Sequence, residues 1–568
     1  MTDDTLALLL AYTDGPAAAL PTRAVDPTPG RGQAIPDVLD ADNADIDDLA
    51  RQRYCVVVPE GDRGRRLRAL VEPLVRRRAA EQRAPVQTYA VPSRMSLEAA
   101  HLWLARLRAS FEHPREVPRY FLLLGDLDEV PHAVQQALAL ADRCPGRLCF
   151  DRDDDLATYA ARVALADPTA RPAISLHAAA TDATVERARA RLLRPVLAQL
   201  EESRELGELH VAALGERYTL APAAPHTLLL TVGHGHGGDR IHGFRSPEQR
   251  RREQGALVLP GEVLLRGEDL PPAFLPHGFW FMFACYSAGT PETSAYAPWL
   301  RGLQGGALAE LADAVVRALP GPGERPFVAA LPKAALADPE GPLACFGHVD
   351  VAWEYSYRHE GRAASSRPGK FTRLIEDACL GHRAGALARG LARAATDAAL
   401  HLAAAAGQPP TDELRHRWML HHDLAAYVLL GDPAVRLTTP ASPPAFTTAA
   451  TGLADPRHTV TASTTTNLAA SALADPRPTI PGLADPRLET SGLATVTPAL
   501  AELARRIGAD RLEEALAHAR VSEPARKVAA RQPRRVAEKL RVRQRQRAAR
   551  RQPAAGAGRA VNVVALEQ

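Results

Sequence analysis

The sequence predicts an α/β protein with a mostly parallel sheet flanked by helices, and three observations predict it. Runs such as Tyr54-Cys-Val-Val-Val58, Arg119-Tyr-Phe-Leu-Leu-Leu-Gly-Asp126 and Phe279-Trp-Phe-Met-Phe283 are apolar without alternation, the pattern of strands buried on both faces. Helical stretches alternate with these runs, as in βαβ units. Two runs stop at a reactive side chain set among small residues. His226-Thr-Leu-Leu-Leu-Thr-Val-Gly-His-Gly-His-Gly-Gly238 delivers His234, and Phe279-Trp-Phe-Met-Phe-Ala-Cys-Tyr-Ser-Ala-Gly-Thr-Pro291 delivers Cys285. In open sheets of this kind, chemistry collects just beyond the carboxyl ends of the strands.

In chain order, residues 1–50 are rich in Pro, Ala and Asp and read as a mostly irregular arm. Its apolar stretch, 6–12, is too short for a signal peptide or a membrane span. Residues 51–170 form a supporting α/β subdomain: a strand at 54–58, a basic helix from about 65 to 82, a strand at 85–91, a helix at 96–110 with Ser96 as its cap, a strand at 119–126 and a helix at 134–141. A helix at 155–163 closes that subdomain, and residues 171–437 form a second one, expected to be catalytic because it carries both reactive side chains, opened by a strand at 172–178 and a long helix at 182–200. The strand into His234 follows, and then a polar, Gly-rich excursion over 238–271 that reads as a functional loop or lid. After Cys285 come a helix at 298–318, strands at 326–330 and 343–347, a mostly helical stretch at 371–406 and a closing strand at 427–432. Residues 438–496 are a Thr/Ala/Pro linker too poor in large apolar residues to fold alone. Residues 497–568 carry an amphipathic helix, with Leu500, Leu503, Ile507, Leu512 and Leu516 on one stripe, and then a basic tail.

A chain of 568 residues with a net charge of +3 implies several units and no global electrostatic partner. The six cysteines (Cys55, Cys144, Cys149, Cys285, Cys345, Cys379) show neither a disulfide framework nor zinc spacing. No metal and no cofactor is therefore expected, and the chain reads as soluble and cytoplasmic with reduced thiols. The basic stretch 526–551 suits weak, salt-sensitive contact with nucleic acid or another acidic partner, without aromatic residues to stack on bases. Leu-Ala-Asp-Pro-Arg occurs three times between 453 and 487, at irregular spacing that excludes a solenoid.

The chemistry suggested by the two strand ends is nucleophilic. A thiol attacks as thiolate, and a nearby imidazole makes that form available near neutral pH. Ser287 and Gly289 leave room for the backbone to turn after Cys285 and offer N–H groups to a developing oxyanion. Gly233 and Gly235 let a substrate backbone come close to His234. His236 is a second candidate base, less favoured because it lies further from the strand end.

Thr231-Val-Gly-His-Gly235 resembles the histidine motif of the caspase-fold (clan CD) cysteine peptidases, in particular the gingipain-like family and the related CHAT proteins. Phe283-Ala-Cys-Tyr-Ser-Ala-Gly-Thr-Pro291 is similar to the nucleophile motif of that group. Phe346-Gly-His-Val-Asp-Val-Ala-Trp-Glu-Tyr-Ser356 and Leu429-Leu-Gly-Asp-Pro-Ala-Val-Arg-Leu437 resemble its late segments. Phe121-Leu-Leu-Leu-Gly-Asp-Leu-Asp-Glu-Val-Pro131 and Gly146-Arg-Leu-Cys-Phe-Asp151 look like its amino-terminal subdomain. The likeness covers roughly 50–437 and implies a caspase-like sheet. It implies Cys285 as nucleophile, His234 as general base and acid, and the N–H groups of Gly235 and Cys285 as oxyanion hole. Trp353 would line the pocket for the side chain before the scissile bond, with Asp350 and Glu354 beside it to receive a basic residue. A protein or peptide is then the substrate, with self-cleavage after Arg457, Arg477 or Arg487 and a role in bacterial defence or cell death as further implications. Two other readings stay open: ligation at the same dyad, and a non-catalytic scaffold that recruits partners through its tail.

Overall fold

The structure is a computed structural model that describes residues 5–6, 8–17, 20–21 and 45–439, apart from 114–115, 169–171, 204–205, 207–222, 305, 307–308, 322 and 360–361. The chain divides into two units, Met1–Thr448 and Ala449–Gln568, and every described residue belongs to the first. The expected linker beyond residue 439, the amphipathic helix, the basic stretch 526–551 and the three candidate cleavage sites lie outside the described residues.

The fold is mixed α/β, with helices around a nine-stranded sheet. Its strands run in the order Gln87–Val91, Tyr54–Pro59, Tyr120–Leu124, Cys144–Leu148, Tyr427–Gly431, Ala344–His348, Phe279–Phe283, Thr227–Val232, Ala173–Ala178. Neighbours are parallel throughout except where Tyr427–Gly431 lies antiparallel to Ala344–His348. The unbroken apolar runs have the expected cause: both faces are covered. Tyr54, Val56, Tyr120 and Leu122 pack into one core, while Cys55, Val57, Phe121 and Leu123, alternating with them, pack into another. The segments expected as supporting and catalytic subdomains contribute four and five strands to this one sheet, and Tyr427–Gly431 is the joint between them.

A buried ion pair fixes that joint. Asp432, which follows the last strand, accepts from Arg78 Nε and Nη2 at 2.9 and 2.5 Å and from Tyr54 Oη at 2.9 Å. Both charged side chains are almost fully buried, so removing one leaves the other's charge poorly compensated in a low-dielectric interior. Asp432→Ala is expected to cost about 3–5 kcal/mol, read as a lower urea midpoint with an unchanged slope. A loss below about 1 kcal/mol would show that Glu81, at 2.5 Å on the other side of Arg78, compensates alone.

Three expectations differ from what is observed. The arm taken as mostly irregular is in part strand, at Leu10–Tyr12 and Gly15–Pro16, and Leu8, Leu9 and Leu10 are fully buried. Seven apolar residues without a period say nothing of where they dock, and here tertiary pairing decides. The excursion 238–271 contains the helix Pro247–Glu253 and the antiparallel strands Leu257–Leu259 and Val263–Leu265. The 65–82 helix is broken into Asp62–Leu70 and Glu72–Gln82, with Pro73 at the start of the second, as the missing N–H of proline requires. Among the described residues no helix is long and apolar enough to cross a membrane, and no cluster of three or more His, Cys, Asp or Glu residues could hold a metal ion.

Candidate functional site

The strands Thr227–Val232 and Phe279–Phe283 are adjacent and parallel, with Val232 opposite Phe283, so both chains leave the sheet at the same level. Gly233 N–H donates to Phe283 O at 3.1 Å and extends that contact one residue further. His234 then enters a short strand, His234–His236, that pairs with Leu257–Leu259. Cys285 lies beyond Phe283 and is followed by Tyr286 at φ 55°, a left-handed conformation that a bulky residue adopts only when its surroundings impose it. The surroundings do so here. Tyr286 N–H donates to Asp350 O at 2.8 Å, and His348 N–H donates to Ser287 Oγ at 2.9 Å, pinning the turn to the neighbouring strand.

His234 is buried and held by Asp182, whose Oδ2 lies 2.9 Å from Nε2. The other carboxylate oxygen, Oδ1, accepts from Thr184 and Val185 N–H as the N-cap of the helix Ala183–Ala188. Burial pushes the Asp182 carboxyl up, but the bond to His234 and the two N–H groups outweigh it and hold it below its ordinary value. A carboxylate on Nε2 places the proton there in the neutral ring and leaves the Nδ1 lone pair as acceptor. Nδ1 is buried and has no hydrogen-bond partner.

Cys285 is completely buried. Ala352 N–H donates to its Sγ at 3.1 Å. Neither nitrogen of His234 bonds to the thiol; the two residues lie beyond the ends of neighbouring strands, and one peptide bonds to the backbone of both strand ends. That peptide comes from the N-terminal segment. The carbonyl oxygen of Leu9 accepts from Gly235 N–H at 3.0 Å and from Cys285 N–H at 3.1 Å. Burial pushes the Cys285 thiol well above its ordinary range, so in this conformation it is a neutral thiol.

The other expected site residues cluster on the loop after Ala344–His348. Trp353 is fully buried, with its ring 5.6 Å from Tyr296 and 5.9 Å from Trp299, and its backbone pairs antiparallel with Leu8. Asp350 has its carboxylate turned to the backbone: Oδ1 accepts from Val351 N–H at 2.8 Å and Oδ2 from Ala295 N–H at 3.1 Å. Its φ is 132°, and burial pushes its carboxyl up to about 6. Glu354 is buried against Arg191 and Arg358, at 3.6 and 3.3 Å. Thus the loop is brought beside Cys285, but both acidic side chains are engaged within the protein. His236 is buried and lowered to about 4 by that burial, its ring edge-on to Phe244.

Four contributors escaped the sequence. Asp182 was legible as a helix cap but not as the partner of a histidine 52 positions away. Leu9 and Ala352 act through backbone atoms, which no residue type announces. Asp423 is buried in the helix Asp412–Ala425 and carries the 353–356 loop: Oδ1 accepts from Trp353 N–H at 2.8 Å, and Oδ2 accepts from Ser356 N–H and Oγ–H at 2.9 and 2.7 Å.

No family model matches the chain, and no curated protein matches it. Three solved structures are similar to it. A structure described only as a protease is 12% identical, with a TM-score of 0.39, over 67% of this chain and 78% of that one. The Arg-specific cysteine proteinase gingipain R is 12% identical, with a TM-score of 0.36, over 68% of this chain and 78% of its own. The complex of the RgpB pro- and mature domains of Porphyromonas gingivalis is 13% identical, with a TM-score of 0.36, over 67% and 79%.

Proposed function

We propose that the chain is a cysteine peptidase whose reacting groups are Cys285 and His234, with Asp182 as a positioning residue. The observation that carries this is the convergence of Gly235 and Cys285 N–H groups on one peptide carbonyl oxygen, at 3.0 and 3.1 Å. Two fixed donors aimed at a single carbonyl are what an acyl-transfer site needs, because they stabilise the negative charge that develops on that oxygen.

The reaction follows from the groups present. The Cys285 thiol gives its proton to His234 Nδ1, and the sulfur attacks the carbonyl carbon while the C=O electron pair moves to the oxygen held by the two N–H groups. Collapse of this adduct breaks the C–N bond, and the proton on His234 passes to the departing amine. Water then attacks the thioester, with His234 taking its proton and returning one to sulfur, so that a carboxylic acid and the free thiol are released. Asp182 keeps the ring oriented through its bond to Nε2.

Specificity for a basic residue would require Asp350 or Glu354 to leave its present partners. The complete burial of Cys285 favours a second reading, a non-catalytic scaffold. The test is cleavage of peptides that differ only in Arg, Lys, Asp or Leu before the scissile bond, by wild type, Cys285→Ala and Asp182→Asn, each also carrying Leu9→Gly to loosen the N-terminal segment at 8–13 that bonds to Gly235 and Cys285. Turnover abolished in Cys285→Ala, and a kcat lowered roughly 10²–10⁴-fold at little-changed KM in Asp182→Asn, are the expected results. Equal cleavage by wild type and Cys285→Ala would refute the peptidase, and silence from every protein even after release of the segment at 8–13 would favour the scaffold.

A further inference from the structure

The groove of the proposed site is already occupied, and its occupant carries information about substrates. Leu9 N–H donates to Ala352 O at 3.1 Å, and Leu8 pairs antiparallel with Trp353. On the other side of the Leu9 carbonyl, Leu10–Tyr12 runs parallel to His234–His236. There Gly237 N–H donates to Ala11 O at 2.7 Å and Thr13 N–H donates to Gly238 O at 2.9 Å. The segment thus enters along the 352–353 wall, presents one carbonyl to the Gly235 and Cys285 N–H pair, and leaves along the histidine strand. Such backbone bonds set direction and register without reading side chains.

We propose that residues 8–13 occupy the site as a substrate does, with Leu9 on the acyl side and Leu10 on the leaving side of the bond position. The site then takes extended peptides with an apolar residue before the cut bond, and the full chain is latent until this segment leaves. This rests on the peptidase reading above. Three observations bear on it beyond the hydrogen bonds. Leu8, Leu9 and Leu10 are each at most 1% exposed, so the positions on both sides of the Leu9 carbonyl are packed by apolar side chains. Gly237 is where Leu10 rests: a Cβ added there would press on the Leu10 side chain. The carboxylates on the neighbouring loop, those of Asp350 and Glu354, are held by Val351 and Ala295 N–H and by Arg191 and Arg358. A cationic side chain arriving beside them would have to displace those partners, whereas a leucine need not.

Latency follows from mass action. A tethered occupant acts at an effective concentration of order millimolar, which a peptide at micromolar concentration does not displace. It also accounts for a nucleophile candidate with no exposed surface.

The test uses the full chain as wild type, Leu9→Asp and Leu9→Gly, with two readouts. The first is the rate at which iodoacetamide labels Cys285, mapped by peptide and referred to the half-buried Cys149. The second is cleavage of peptides that differ only in Leu, Arg or Asp before the scissile bond. Expected are labelling of Cys285 roughly tenfold faster or more in both variants with Cys149 unchanged, and cleavage that favours Leu over Arg by a similar factor. If Leu9→Asp does not fold, Leu9→Gly, which keeps the backbone bonds and loses only the packed side chain, carries the test. Unchanged labelling of Cys285 in a folded variant would overturn the proposal, as would a released enzyme that prefers Arg. Faster labelling with no peptide cut would leave the covering role standing and overturn the peptidase reading, and with it the substrate class.

Discussion

Replacing Gly235 with alanine is expected to lower the kcat/KM of the proposed peptidase by roughly 10³-fold or more. A Cβ at this position would overlap the carbonyl oxygen of Cys285 and crowd its carbonyl carbon and nitrogen. All three are backbone atoms at the end of a buried strand, so no side chain can swing aside. The two strand ends must separate, and the N–H groups of Gly235 and Cys285, which now meet on one oxygen, must diverge. Loss of one such donor costs about 10²–10³ in kcat, and this substitution misplaces both at once. Overpacking adds a stability cost of about 1–3 kcal/mol. Gly302→Ala is the matched control: a Cβ there meets nothing within 4 Å, in the helix Ala297–Leu303. It should leave turnover intact and stabilise the helix by about 0.5–1 kcal/mol. A Gly235→Ala enzyme that kept a tenth of its kcat/KM would show that the close approach of the strands is not what aims the donors.

Asp423→Ala is expected to destabilise the fold by about 3–5 kcal/mol, a large share of the stability of an ordinary domain. Three donors, Trp353 N–H, Ser356 N–H and Ser356 Oγ–H, end on its carboxylate, and His348 Nε2 lies 3.4 Å from it. His348 itself is fully buried between two carbonyl oxygens, those of Asp350 on Nδ1 and Asp423 on Nε2, both at 3.0 Å. Each carbonyl is satisfied by an N–H of the ring, so the site favours the imidazolium form. Burial opposes that charge, and Asp423 outweighs it, holding the pKa above its ordinary value. A raised histidine contributes its full stabilisation below its unfolded pKa and loses it as pH rises through the folded one. Wild-type stability should therefore fall as pH climbs above about 6.5. The substitution His348→Gln should flatten that part of the profile, measured as the urea midpoint across pH. A profile with the same slope in His348→Gln would remove the imidazolium from the account.

The sheet was legible because its strands are buried on both faces, and buried strands announce themselves as apolar runs. Thr227–Val232 and Phe279–Phe283 are clear in the sequence, and so is the placement of His234 and Cys285 beyond neighbouring strand ends once parallel pairing is assumed. Cys144–Leu148 was less clear. It contains Pro145, Gly146 and Arg147, and Arg147 is fully buried on the carbonyls of Gly125 and Asp126, at 2.8 and 3.1 Å. Satisfied hydrogen bonds there replace the apolar surface that sequence patterning detects. The helix Asp412–Ala425 was missed because Arg, His and Trp interrupt its period. The pocket was the least legible part. Asp350 and Glu354 were expected to receive a basic residue, and only coordinates reveal that Val351, Ala295, Arg191 and Arg358 hold them.

The strand that joins the two halves of the sheet, Tyr427–Gly431, sits fifth of nine across it yet follows every other strand of that sheet along the chain. During synthesis, eight strands emerge before the one that must lie between Cys144–Leu148 and Ala344–His348. Until it arrives there are two half-sheets, each with an open inner edge of unpaired N–H and C=O groups. Closing the gap brings together residues as distant as Arg147 and Leu430, a slow step for a chain of high contact order. A ribosome-bound chain stopped before residue 427 should therefore resemble a pair of sticky fragments, prone to pair with other chains. The completed barrier between the halves is a single five-residue strand, and the whole molecule waits for it.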